Sequence, residues 1–256
     1  MRIYQTIEQM LNETARDLLE MGVIRRTTTM QDKNISNDEN FTTKELTNFS
    51  VCITDTKKYT KLEAENLFES FSIAEDAHIL MEWCIDEFAE RVSSSLINPG
   101  RAFGIRVEVW NEFRTKHKGR FAYTYNERIR TQLPTIVDAL TIDPWSRQCV
   151  MMIWNPVIDV NRIGEDRVPC SLHYHFMCTP DEHGEPELNV IYAMRSCDFV
   201  THMLCDVYLA LLMLNYVCVN LPGIKGIKLG KLFINISSLH YYKKDEGPLK
   251  KFMEII

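Results

Sequence analysis

The stretch NVIYAMRSCDFVTHMLCDVYLALLMLNYV sets charged groups between two apolar runs. A strand-like run over residues 190–194 stops at Arg195, Ser196 and Asp198, and a second acid, Asp206, opens a long apolar segment. Burying an unpaired charge is costly. These groups therefore either neutralise one another or hold a ligand. Three further pieces carry chemistry-bearing types: DPWSRQ with Ser146 and Arg147 at a turn, VPCSLHYHF with Cys170 at a strand start behind Pro169, and SSLHYY with His240 and Tyr242. A thiol alone reads as a small core group. Asp206 also suits the N-cap of the helix it opens. His173 and His175 share a strand face near Asp181 and His183, but no familiar ligand spacing completes a metal set, and no metal is expected.

The elements that must position these groups follow from pattern. Residues 1–22 have amphipathic helical spacing, with Gly22 as the stop. Residues 25–45 are polar and turn-rich, which predicts a mobile loop. LTNFSVCITD alternates as a strand, and residues 60–95 have helical spacing, the acids of 63–90 forming a solvated face. IRVEVWNEF reads as a short strand or turn holding Trp110, and residues 123–141 as helix. A turn at DPWS leads into a strand. RVPCSLHYHFMC and ELNVIYAMR are strands joined by a hairpin at TPDEHGEP. Residues 206–219 form a buried helix, too short to span a bilayer, and KLFINISSLHYYKKD returns as a strand. The class is α+β, with strands concentrated after residue 100.

Of the 256 residues, 45% are hydrophobic and 25% charged, which is enough for one large core. A net charge of -6 argues against a nucleic-acid surface. The N-terminus lacks the apolar core of a signal peptide, and the eight cysteines contain no C-x-x-C pair. Free thiols in a reducing compartment, the cytoplasm, are expected, with no membrane partner.

In their order and spacing, DPWSRQ, VPC, MRSCD and SSLHYY resemble thymidylate synthase and its pyrimidine-nucleotide hydroxymethylase relatives, over roughly residues 119–245; residues 1–118 are divergent. The resemblance implies a single domain with the α+β thymidylate-synthase fold, in which a large mixed sheet packs against helices and pairs with a second copy. It implies that Cys170 adds to C6 of a pyrimidine nucleotide, so that C5 can attack the one-carbon unit of 5,10-methylenetetrahydrofolate. Arg195 and Ser196 match phosphate ligands, Arg195 also favouring the thiolate. Arg147 matches an arginine serving the partner subunit's site, and Arg26, in IRRTTTM, falls at the family's phosphate loop. His240 and Tyr242 match residues that hold the sugar hydroxyl. Asp198 matches the acid facing the folate ring, and Trp110 the tryptophan packed over the reacting group.

Asp206 stands where the synthases carry asparagine. A carboxyl group can accept from cytosine N4–H2 and, when protonated, donate to N3, so the resemblance is closest to the (deoxy)cytidylate 5-hydroxymethylases. The implied reaction is 5-hydroxymethylation of dCMP or CMP, with water completing the transfer. The family's general acid/base is a glutamate three residues before a tryptophan. Leu80 occupies that place before Trp83, which leaves the adjacent Glu82 as the expected acid/base. His202 stands where relatives carry glycine. C5 methylation of dCMP or dUMP, and a non-catalytic nucleotide-binding role, are the alternatives.

Overall fold

Long alternating segments pair into one mixed sheet because each offers a single apolar face. A computed structural model describes residues 1–30, 33–111, 113–114, 118–221, 224 and 226–255. Its strands are β1 (Arg2–Tyr4), β2 (Val23–Arg25), β3 (Thr29–Met30), β4 (Lys33–Asn34), β5 (Thr43–Ile53), β6 (Val150–Met152), β7 (Ser171–Pro180), β8 (Pro186–Asp198) and β9 (Lys228–Tyr242). The main sheet runs β1-β5-β9-β8-β7-β6, with β2 also on β5, while β3 and β4 form a small separate hairpin. β8 and β9 are parallel, as are β1 and β5; the other pairs are antiparallel.

The helices are α1 (Ile7–Met21), α2 (Lys61–Phe71), α3 (Ala77–Val92), α4 (Ala102–Ile105), α5 (Val107–Trp110), α6 (Tyr125–Ile129), α7 (Leu133–Ile142), α8 (Pro156–Asp159), α9 (Leu204–Val219) and α10 (Glu246–Ile255). The α+β class with a mixed sheet against helices is as expected. One sheet face, through Tyr174, Phe176, Val190, Tyr192, Ile234 and Ile236, is buried in a core shared with α1, α3 and α9. α9 is apolar on all sides and buried accordingly. With the turn before it, this helical stretch spans Phe199–Val219, 21 residues, which is longer than the sequence pattern suggested. That length would cross a bilayer, but here the helix lies inside the protein core.

The β7–β8 hairpin appears where turn residues demanded it. Asp181 Oδ1 accepts from the His183 and Glu185 amides at 2.8 and 2.9 Å, and Gly184 takes the left-handed φ of 80°. Four expectations are corrected. Residues 2–4 are a strand on β5 rather than the start of α1, which begins at Ile7 behind the Thr6 cap. Residues 60–95 form two helices, with Asp76 capping the second. Residues 102–110 are helical, because Trp110 packs by helix geometry against α3. Residues 25–45 hold short strands and a 3-10 turn; Gln31 and Asp32 lie outside the described residues.

Candidate active site

Strand direction gathers the motifs. β8 and β9 run parallel and in register, so Ser196 faces Ser238 and Asp198 faces His240. β7 is antiparallel to β8, so its first residue, Ser171, lies at the same sheet end and the Arg195 amide donates to the Cys170 carbonyl at 2.8 Å. β5 places Glu45 opposite His240 on the far side. A cavity of about 610 Å³ opens at this end, a size typical of ligand sites. Cys170, Arg195, Ser196, Asp198, Asp206, His240, Tyr242 and Trp110 all line it, so the structure brings together eight of the residues chosen from sequence.

Around the thiol, Arg195 Nε donates to the Pro169 carbonyl at 2.8 Å and Nη2 to that of Val168 at 3.2 Å. These bonds hold Nη2 3.7 Å from Cys170 Sγ, and Ser196 Oγ lies 3.9 Å from the same sulfur. His240 sets its ring edge-on to Tyr242, with centroids 5.3 Å apart, and Tyr242 is braced in turn by Phe41. Burial holds the Tyr242 hydroxyl well above the ordinary phenol range, so it stays protonated.

Asp206 lies in the first turn of α9, part-buried against the cavity. It does not cap the helix: the cap position belongs to Met203, and Asp198 caps the turn before it through the Val200 and Thr201 amides. Burial raises the Asp206 carboxyl to about 6, opposed by the Arg91 charge and by the Cys197 thiol, which donates to Oδ2 at 3.6 Å. It can therefore be protonated or ionised near neutrality.

The opposite wall is aromatic. Trp110 stacks on Trp83 at 6.4 Å and on His202 at 5.7 Å, and the Arg167 guanidinium sits 4.7 Å over Trp110 and 4.9 Å over Tyr123. Such cation–π contacts help to position the guanidinium.

Three sequence choices fall elsewhere. Glu82 is exposed on α3 and does not line the cavity. One residue before Trp83 is about 100° around a helix, so the two side chains cannot share a face. The acids on the cavity side are Glu87 and Glu90, one and two turns beyond Trp83. Contrary to expectation, the acidic run is thus not wholly a solvated face. Glu90 is engaged in structure, accepting from the Ala102 amide at 2.8 Å, and Gly100 approaches its carboxylate so closely that a Cβ there would overlap it. Glu87 accepts from Arg91 Nε at 2.8 Å. Arg26 lies outside the cavity lining, 71% exposed near Glu39, while Arg25 lines it and pairs with Glu45 at 2.8 Å. Arg147 is exposed on its turn and away from this cavity.

Sequence reasoning missed Arg91, buried beneath the cavity with its guanidinium 3.9 Å over the Tyr125 ring. Burial opposes its charge, but Glu87 together with Tyr174, Tyr125 and Tyr192 outweighs this, and Arg91 stays cationic. The i, i+4, i+8 spacing of Trp83, Glu87 and Arg91 was the signal that placed them on one face. No group of three or more His, Cys, Asp or Glu side chains that could hold a metal occurs among the described residues. All eight cysteines are free.

A thiol beside a guanidinium, a hydroxyl-lined polar end and a flat aromatic wall suit a covalent reaction between a phosphorylated ligand and a planar heteroaromatic one. A family model described as thymidylate synthase matches residues 10–254. No curated protein matches the chain significantly.

Proposed function

Because the chain belongs to the thymidylate synthase family, whose members transfer a one-carbon unit from methylenetetrahydrofolate to a pyrimidine nucleotide, we propose that it hydroxymethylates C5 of a cytosine nucleotide, dCMP or CMP. One observation carries this reading. Asp206 presents a part-buried carboxyl, raised to about 6, to the cavity that holds Cys170. A carboxyl that can take a proton matches the N3 acceptor and N4 donor of cytosine together, whereas uracil inverts both.

In this reading Cys170 attacks C6, and Arg195 steadies both the thiolate and the nucleotide phosphate. A planar guanidinium suits that dianion. Ser196 adds a second phosphate donor, and His240 with Tyr242 takes the sugar hydroxyl. Glu87 replaces Glu82 as the group that moves protons near C5, since of the two α3 acids on the cavity it is the one engaged by a cation rather than by a backbone amide. The Trp83–Trp110 wall and Asp198 fit a flat pterin with ring N–H donors. Bound there, methylenetetrahydrofolate supplies the carbon. Asp198 would orient it and Trp110 would keep bulk water from the reacting face. Arg147, exposed and remote from its own cavity, would reach the site of a second copy in a homodimer formed through the sheet. The whole chain then acts as one domain.

The test is a product assay. Purified protein with methylenetetrahydrofolate is given dCMP, CMP, dUMP and UMP separately, and each nucleotide is analysed by mass spectrometry. A hydroxymethyl group on a cytosine nucleotide is expected. A methyl product, or modification of uracil alone, would replace this reading.

A further inference from the structure

Between β8 and α9 the chain makes one π-type turn, Phe199–Met203, capped by Asp198. Such wide turns are rare and concentrate at functional sites. This one sets His202 on the cavity wall, its ring nearly parallel to Trp110 with an interplanar angle of 22°. The His175 and His240 rings each lie within reach of a backbone carbonyl. The His202 nitrogens make no hydrogen bond to the described residues and are not enclosed polar atoms. A stacked, oriented imidazole with open nitrogens on a reaction cavity is a ready acceptor for a water molecule.

We propose that His202 orients the water that completes the transfer. This inference rests on the hydroxymethylation reading. The nucleotide then carries an exocyclic methylene at C5 and the Cys170 sulfur at C6. The water oxygen bonds to the methylene carbon while one of its O–H bonds breaks, and the proton passes by way of the imidazole to solvent. The methylene π pair shifts to form the C5–C6 double bond as the C6–S bond breaks and Cys170 leaves as thiolate. Atoms and electrons balance with water as the sole co-reactant. Asp198, Arg106, Arg167 and His240 are the charged or titratable groups acting on the ring. Burial lowers its proton affinity to about 4, with Asp198 opposing. The ring therefore remains a neutral acceptor at working pH, which suits orientation of the water more than storage of its proton.

The experiment compares wild type, His202→Gly and His202→Asn with a 5-tritiated cytosine nucleotide and methylenetetrahydrofolate. Release of the C5 hydrogen reports the Cys170 stage, and mass spectrometry reports the final product. Calorimetry gives the nucleotide Kd without folate. In His202→Gly, hydroxymethyl product should fall about 100-fold, tritium release far less, and Kd within about threefold; in His202→Asn, which keeps a hydrogen-bonding side chain, product should partly return. Where the waiting intermediate is instead reduced by the tetrahydrofolate hydride, the methyl-to-hydroxymethyl ratio should rise. An unchanged ratio of product to tritium release in both variants overturns the role of His202 and leaves the reading standing. Equal loss of tritium release, product and affinity shows a structural role and overturns it likewise. Wild type that forms no hydroxymethyl product sinks the reading itself, and His202 with it.

Discussion

Arg195 Nη2 stands 3.7 Å from Cys170 Sγ while the same guanidinium is tied to the carbonyls of the two residues before that cysteine. The cation is thus fixed by the backbone it serves, and the sulfur needs no ligand to bring its partner into place. Pre-placed charge of this kind contributes without reorganisation during reaction.

Cys170→Ser should keep nucleotide affinity within about threefold, because the hydroxyl fills the same space, and should lose turnover by at least about 10⁴-fold. Calorimetry and the mass-spectrometric assay read the two quantities separately. Turnover surviving in the serine protein would remove sulfur from the mechanism.

Asp206→Asn should move kcat/KM toward uracil nucleotides by about 100-fold or more, since each mismatched hydrogen-bonding edge costs on the order of 1–3 kcal/mol. A second consequence needs no substrate. An unfolded aspartate titrates near about 3.9, and the folded carboxyl is raised to about 6. The stability tied to its protonated form is therefore complete below the unfolded value and lost as pH rises through 6. Asparagine removes that loss, so the variant should gain about 3 kcal/mol over wild type at pH 8 and only about 0.5 kcal/mol at pH 4. Urea unfolding at both values measures it, and an equal gain at both would mean that the charge of Asp206 is not what matters.

Glu87→Gln should lower kcat by about 10²–10³-fold with little change in nucleotide affinity, while Glu82→Gln should stay within about twofold of wild type. The paired variants on one helix separate a cavity acid from a solvent-facing one. A large effect at Glu82 would reverse the assignment.

Arg147→Ala and Cys170→Ala proteins, each nearly inactive, should recover activity when mixed and allowed to exchange subunits. Random exchange puts half of the chains into mixed dimers, and each mixed dimer has one intact site, so about a quarter of wild-type activity is expected if sites are shared. Native mass spectrometry confirms exchange, and no recovery after proven exchange would place Arg147 outside the partner's site.

Much of this architecture was legible because strand alternation and hairpin turn residues are local signals. β7, β8, β9 and α9 come directly from period and punctuation, and the parallel pairing of β8 with β9 then unites Asp198 with His240. The site was less legible where it depends on helix phase. Glu82 looked right by proximity to Trp83, yet one position of rotation turns it to solvent, and Glu87 and Arg91 occupy the buried side instead. Trp110 lines the cavity, but from a short helix rather than the expected strand or turn, since a short apolar run reads as strand or helix alike until packing decides. Arg26 and Arg25 differ by one residue, and no pattern within a polar loop says which of the two faces inward. The cage around Arg167 is built from aromatic side chains between residues 110 and 123, far from Arg167 in sequence, and no local pattern joins the cation to them.

The position of β9 also governs the order of assembly. This strand, Lys228–Tyr242, lies between β5 and β8, so in the sheet the early strands meet the late ones through a segment far downstream of β5. On the ribosome, β5 must wait with an open edge until β9 has been made, and the thiol pocket gains its His240 and Tyr242 side only then. Such late, non-local closure predicts slow folding and a nascent chain that needs protection from pairing with its neighbours.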